Sequence, residues 1–428
     1  EADAGALHVQ MADMAVEIGP PQAAQSYLDA GRILAAAAQS GADAVHPGYG
    51  FLSENAGFAE AVQAGGLIWV GPAPETIRQM GDKQTARETA ARAGVPVLPG
   101  SPRLVPEDGA DIAAAARSVG LPLLVKAAAG GGGIGMRRAD RAEDVPKIVA
   151  AAQGAARQVF GCGDVYLERL VARARHVEVQ VFGLGGGRAV HLFERDCSLQ
   201  RRYQKVIEEA PAPALPEETR AALCAAACAL CRETGYEGAG TVEFVLDAET
   251  GAFYFLEMNT RIQVEHPVSE MVTGADLVAM QLDQARGRAP TLPETPAPRG
   301  HAIECRLYAE RPARMFLPSP GTLARFDLPA PAPDLRVETG LRAGDAVTPY
   351  YDPMIAKIVA HGPDRAAAIA RARAALEATA IEGIATNRDF LLNCLAHPDF
   401  AAGHVSTGFI EAKLEGLIGA PAHVPTAP

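Results

Sequence analysis

Residues 240–259, GTVEFVLDAETGAFYFLEMN, constrain this chain more than any other stretch. Two runs of alternating apolar and polar residues flank the turn DAETGA, the pattern of a β-hairpin. Pairing outward from the turn brings Glu243 nearly opposite Glu257, and strand parity puts Glu257 and Asn259 on one side. Facing carboxylates repel unless one is protonated or a cation lies between them. Phe244, Phe253 and Phe255 place the hairpin at or near a core rather than at a solvated edge. A hard cation satisfies such a pair, and Mg²⁺ shared with phosphates needs only one or two protein carboxylates. The strand then runs into FLEMNTRIQVEHP, residues 255–267, where Asn259, Arg261, Gln263, Glu265 and His266 crowd together. Buried polar groups must find partners, so this crowding asks for a purpose. The arginine fork of Arg261 suits a planar anion, and the Glu265 carboxylate nearby suits a base.

A length of 428 residues with 48% hydrophobic residues implies several domains or lobes. The net charge of −12 argues against a general nucleic-acid role. No apolar run is long enough to span a bilayer, and no secretory signal is visible. The 7 cysteines form no disulfide pattern, which points to a reducing compartment. Cys224, Cys228 and Cys231 share one face of a helix in RAALCAAACALCRETG and read as small core residues, not zinc ligands.

Helices alternate with short strands over residues 25–100: SYLDAGRILAAAAQSG, ADAVHP, NAGFAEAVQAGG, LIWVG, then a helical stretch with a break near Gly81. The opening EADAGALHVQMADMAVEIG has no strand followed by a glycine turn, so the earlier part of this βα unit is expected to be missing. HPGYGFLSENAGFAE reads as an ordered loop before a helix. In LPLLVKAAAGGGGIGM a strand ends in Lys126 and opens into Gly130, Gly131, Gly132, Gly133 and Gly135. The lysine precedes the glycines, unlike a Walker A loop, and the run suits a flap whose N–H groups close over phosphate. Lys205 and Arg306 are further cations beside polar strand ends. The tail GAPAHVPTAP reads as linker, and no internal repeat is present.

HPGYGFLSENAGFAEAV, MGDKQTAR, LLVKAAAGGGGIGM, ERDCSLQRRYQKVIEEAPAP and FLEMNTRIQVEHPVSEMVTGADLV together resemble the biotin carboxylase component of biotin-dependent carboxylases, over essentially the whole chain. The resemblance implies an α/β and α+β protein with an ATP-grasp fold. A truncated Rossmann-like domain (1–82) would precede the ATP-grasp domain (83–297), with a mobile lid at about 99–171. A biotin carboxylase C-terminal domain (298–416) and a tail (417–428) would follow. The implied enzyme is an ATP-dependent ligase that converts ATP and bicarbonate to carboxyphosphate and ADP. It then carboxylates N1′ of biotin held on a carrier, using Mg²⁺ or Mn²⁺.

The motif matches imply roles residue by residue. Lys83 and Lys126 would contact ATP phosphates beneath the Gly130–Gly133 flap. Glu168 would hold the adenine amino group or ribose region, with Leu170 at the base, and His176 and Gln200 would line the nucleotide site. Glu243 and Glu257 match the metal ligands, with Asn259 beside metal and phosphates. Arg261, Gln263 and Val264 match the bicarbonate pocket, Glu265 the general base, and Lys205 a holder of bicarbonate or carboxyphosphate. Arg306 would stabilise the biotin enolate. His266 reads only as a structural hydrogen-bonding residue.

Three positions depart from the family pattern: Ala129 for a glycine, Ile134 for a basic residue, and Tyr203 for a histidine. No AMKM-like segment carries a biotinyl lysine, so the carrier is expected on another chain or beyond residue 428. TNRDFLLNCLAHPDFAAGHVSTGFIE resembles acyl-CoA carboxylase α subunits, of the methylcrotonyl-CoA or a related type. That implies a carboxyltransferase β subunit as partner, an oligomeric assembly, and the bacterial cytoplasm or the mitochondrial matrix as location. Two other readings share the glycine flap and carboxylate pair. One is a different ATP-grasp ligase, such as a carbamoyl-phosphate synthetase or a purine-pathway enzyme. The other is a nucleotide-binding fragment without turnover.

Overall fold

The computed structural model describes residues 1–106, 111–128, 136–292 and 297–419. The glycine flap with Ala129 and Ile134, and the tail from residue 420, lie outside the described residues. Helices Ala30–Ser40, Ala56–Ala64 and Pro74–Gly81 surround two parallel strands, Ala44–Val45 and Ile68–Trp69. Asp29 and Asn55 cap the first two helices by accepting from Arg32 N (3.1 Å) and Phe58 N (2.8 Å). Phe58, Val62, Trp69 and Ile77 form a small core between these elements. The helical stretch breaks at Asp82, next to the glycine that signalled it. Asp82 accepts from Thr85 N (2.9 Å) and starts helix Lys83–Arg92, which puts Lys83 in a first helical turn.

Strands Leu123–Ala127, Arg137–Ala139 and Val165–Arg169 form a separate antiparallel sheet with helices Ile112–Val119 and Val145–Phe160. Its core is its own, built on Val119, Leu123, Val125, Val149 and Leu167. This layer spans most of the segment expected to be a lid.

The rest of the molecule hangs on one eight-stranded sheet whose neighbours are all antiparallel. The strand order is Phe253–Asn259, Glu237–Asp247, Ala174–Gly185, Arg188–Arg201, Gln204–Ala210, His301–Tyr308, Met354–Gly362, Leu335–Glu338. The sheet therefore runs unbroken from the expected ATP-grasp segment into the expected C-terminal one, joined where Gln204–Ala210 pairs with His301–Tyr308. Alternation gives it two characters. Val177, Val179, Val181, Val242 and Phe244 pack under helix Glu217–Glu233, whose Cys224, Cys228 and Cys231 are buried and unpaired. The cysteine helix is thus core, as its spacing implies. Ile303, Cys305 and Leu307 face a second core with helices Arg365–Glu377 and Arg388–Ala396. The intervening residues, including His176, Glu178, Glu243, Glu304 and Arg306, go to the opposite face. Helix His266–Thr273 crosses that polar face, and its Val268 and Val272 pack on Ala302 and Val359.

Candidate active site

The hairpin forms as expected, with one refinement. Phe255 pairs with Phe244, and Glu257 with Glu243, with a β-bulge between. In a regular strand Phe255 and Glu257 would share a face. The extra residue, Leu256, turns Glu257 onto the polar face while Phe255 stays in the core. Asn259 Nδ2 donates to Glu243 Oε1 (2.9 Å), so Asn259 meets one of the two carboxylates. Burial and the Glu243 charge push the Glu257 carboxyl up, while Lys83 pulls it down. Lys205 and His176 already lie against Glu243, so the strain of the pair falls on Glu257; the carboxylate oxygens are hard donors that fit a divalent cation.

Lys205 is the hub of the site. Its ammonium reaches Glu178 (2.6 Å), Glu243 (2.9 Å) and Glu265 (2.5 Å). Burial works against its charge, but the three carboxylates outweigh burial and hold it well above the usual lysine range. A tight turn sets its position: Arg202 and Tyr203 both have positive φ, 49° and 65°, the backbone of a two-residue hairpin. Glu265 is held between Lys205 and Arg306 Nη2 (2.9 Å). Burial raises its carboxyl, yet Lys205, then Arg306 and Arg195, bring it down to about 2. The opposite edge of Arg306 lies 2.6 Å from Glu208, a close ion pair without an aligned hydrogen bond. Burial outweighs that guanidinium and lifts Glu208 to about 7.

Arg261 does not meet Glu265 directly. It contacts Glu54 (3.1 Å) and Asn259 Oδ1 (3.0 Å), and Glu54 also accepts from Thr260 N (3.2 Å). The HPGYGFLSEN loop thus ties the N-terminal unit to the site. Gln263 donates to Glu243 Oε1 (2.9 Å) and accepts from Arg195 (2.9 Å). Val264 offers its carbonyl to Lys357 (2.8 Å). Gln200 Nε2 lies 2.8 Å from His176 Nδ1, and His176 Nε2 lies 3.0 Å from Glu243; burial opposes charge on the ring, but Glu243 outweighs it and raises the pKa to about 9.

A narrow cleft lined by Lys83, Gln84, Arg87, Ser101, Arg103 and Tyr166 lies where helix Lys83–Arg92 meets the smaller sheet. Burial and the Lys126 cation lower the Lys83 pKa, although Glu257 opposes them, so an incoming anion is welcome there. Lys126 pairs with Glu168, which also takes Arg87 (2.5 Å). Both are therefore committed to each other until a ligand competes. Leu170 spends its N–H on Pro122 O (3.0 Å), so it meets a ligand only through its carbonyl and side chain.

The family model of the carbamoyl-phosphate synthase L chain ATP-binding domain matches residues 82–294. Models of the biotin carboxylase N-terminal and C-terminal domains match 1–77 and 304–412. The chain is 48% identical to the biotin carboxylase of Nostoc sp., over 96% of this chain and 91% of that protein. The chain belongs to the biotin carboxylase family. It has the ATP-grasp fold of that family. It superposes with a TM-score of 0.91 on the Campylobacter jejuni biotin carboxylase solved with a β,γ-ATP ligand, at 43% identity, covering 96% and 92% of the chains. The TM-score is 0.92 for the biotin carboxylase domain of Hydrogenobacter thermophilus 2-oxoglutarate carboxylase, solved with MgADP, ADP and bicarbonate, at 41% identity, covering 98% and 92%. The mitochondrial methylcrotonoyl-CoA carboxylase subunit alpha of Dictyostelium discoideum is 48% identical over 98% of this chain. The chain spans 60% of that subunit's length. Among the described residues no helix is long and apolar enough to cross a membrane.

Several residues of this biotin carboxylase site were not legible as such. Glu178 and Arg195 are fully buried. Arg195 alone joins Glu178 (2.6 Å), Gln180 (2.6 Å), Ser269 (3.0 Å), Thr241 (3.0 Å) and Gln263 (2.9 Å). The available signal was a charged residue inside an otherwise strand-like run, as in HVEVQVFG and HLFERDC. The same signal stood at Glu208 in QKVIEEA, Glu304 in HAIECRLY and Lys357 in MIAKIVAHG; Glu54, in a turn-rich loop, gave none.

Proposed function

We propose that this chain uses ATP and bicarbonate to carboxylate N1′ of carrier-bound biotin, through carboxyphosphate, at the Lys205–Glu265–Arg306 cluster. The observation that carries this reading is the Glu265 carboxylate held between two cations, one of which also binds the hairpin carboxylate Glu243. Bicarbonate brings a second anion that competes for Lys205 and Arg306. Glu265 is thereby loosened and made more basic, and it takes the bicarbonate proton. Arg261 and Lys205 orient the anion so that its oxygen bonds to the γ-phosphorus as the bond to ADP breaks. Lys83 and Lys126 hold phosphate charge, while Glu168, Leu170, His176 and Gln200 line the nucleotide. Glu243, Glu257 and Asn259 would hold the divalent cation, which when bound neutralises charge between the phosphates. Carboxyphosphate then splits to CO₂ and phosphate, phosphate takes the N1′ proton, and N1′ bonds to CO₂. Arg306 would stabilise the negative charge that develops on the biotin ureido oxygen.

The relatives' names support a place in an acyl-CoA carboxylase of the methylcrotonoyl-CoA type, as the first half-reaction. Its partners would be a biotin carrier and a carboxyltransferase β subunit, in the bacterial cytoplasm or the mitochondrial matrix. The test is ATP hydrolysis with free biotin, with carboxybiotin measured as product. Hydrolysis should require bicarbonate and respond to biotin; bicarbonate-dependent turnover that responds to ammonia instead of biotin, with no carboxybiotin formed, would sink this reading in favour of a carbamoyl-type ligase.

A further inference from the structure

The segment that carries Arg261 to Glu265 is gripped from behind by a residue remote in sequence. Lys357 lies on strand Met354–Gly362, in register with Arg306 on the neighbouring strand. It is only 5% exposed. Its ammonium donates to Val264 O (2.8 Å) and pairs with Glu338 (2.6 Å). A buried lysine is expensive unless paired, and here Glu304 and Glu338 outweigh burial and raise its pKa. Beside it, His266 Nδ1 is 2.7 Å from Gln263 O. A carbonyl oxygen only accepts, so Nδ1 carries the ring proton. Burial and the Lys357 charge bring His266 down to about 4, so the ring is neutral. Its other nitrogen is 3.9 Å from Glu270, whose carboxylate is instead taken by Arg336 (2.5 Å).

The peptide unit is planar, and in its trans form C=O and N–H point in opposite directions. Anchoring Gln263 O fixes the direction of the Val264 N–H, and anchoring Val264 O fixes that of Glu265. The two anchors therefore set where a pocket on this segment points its donors, and where the Glu265 side chain starts. We propose that Lys357, acting through Val264 with His266 acting through Gln263, is a positioning residue that sets the geometry of the bicarbonate pocket. Lys357 touches no reacting atom in this account. The inference rests on the assignment of Arg261 to Glu265 to bicarbonate.

The experiment is Lys357→Met in the full chain, with ATP and bicarbonate varied separately in steady-state ATP hydrolysis. The bicarbonate KM should rise roughly tenfold or more, with the ATP KM within about twofold of wild type. Removing the lysine leaves Glu338 with Arg336 as its remaining cation and can unfold the protein, so a second variant accompanies it. Lys357→Met with Glu338→Gln removes both charges of the pair, and its unfolding midpoint should return toward wild type. Its bicarbonate KM should stay high, because the Val264 anchor is still gone. A wild-type bicarbonate KM in the single variant would overturn the inference. So would a bicarbonate KM that recovers together with stability in the double variant, or ATP and bicarbonate KM values that rise in parallel. Wild-type protein without bicarbonate-dependent hydrolysis would remove the functional reading itself, and this inference with it.

Discussion

Glu265 has the most tightly determined chemistry of any single residue here. Two cations hold its carboxylate ionised, and the same cations are those a bicarbonate anion would seek. Glu265→Gln keeps the shape but cannot take a proton. It should bind ATP as wild type does and lose at least about a hundredfold in turnover, measured by nucleotide titration alongside bicarbonate-dependent hydrolysis. The same residue shapes acid stability. Its folded pKa lies below the ordinary 4.5, at about 2, so its contribution is fully present above 4.5 and is lost as pH falls through about 2. Between those values the Gln variant should lose stability less steeply than wild type in acid-unfolding curves. Arg306 is shared between Glu265 and Glu208, on the far side of Lys205 from the hairpin carboxylates. Arg306→Ala should cost carboxybiotin formation more than ATP binding; equal losses in both would remove it from the biotin half of the site.

At the scale of elements, the hairpin and its neighbouring strand decide whether the carboxylates meet. The strand Ala174–Gly185 carries Glu178 and pairs along its length with Glu237–Asp247, which carries Glu243. Their close approach depends on Gly183, where an added Cβ would lie 2.0 Å from the Tyr236 carbonyl oxygen. Backbone cannot yield as a flexible side chain does, so Gly183→Ala should cost at least about 2 kcal/mol in denaturant unfolding. A stability equal to wild type would show that the strands can separate freely there. The hairpin itself was legible in residues 240–259, because alternation around a turn is a local signal. The bulge at Leu256 was not. It depends on which of two adjacent residues the partner strand and the core accept, and parity counted along one strand cannot report it. The cysteine helix was read correctly for a simpler reason: spacings of four and three put small residues on one face whatever lies opposite.

At the scale of the molecule, the continuous sheet makes the expected division at residue 298 a boundary in sequence more than in space. Gln204–Ala210 pairs with His301–Tyr308, so the two halves of the site stand on neighbouring strands. A chain ending at residue 297 would lack Arg306 and Lys357 and would bare one side of the Lys205 strand. It should form no carboxybiotin even where it still binds nucleotide, and carboxybiotin from such a fragment would contradict a single shared site. Long matching motifs in order identified the family and the ATP-grasp fold; of the residues they single out, His176, Lys205, Glu243 and Arg306 stand on one face of the large sheet, while Lys83 is on a helix and Lys126 and Glu168 are on the smaller sheet. The sequence by itself determined the class of protein, its hairpin, its cysteine helix and, of the carboxylates that gather at Lys205, Glu243 and Glu265, because each rests on short-range pattern or on whole motifs. Only the tertiary structure decided that Arg195 ties Glu178 to Gln263, that Glu54 reaches Arg261, and that Lys357 holds Val264. Those contacts join segments tens to hundreds of residues apart. Whether a buried charge finds its partner is settled by packing, and no local pattern carries that information.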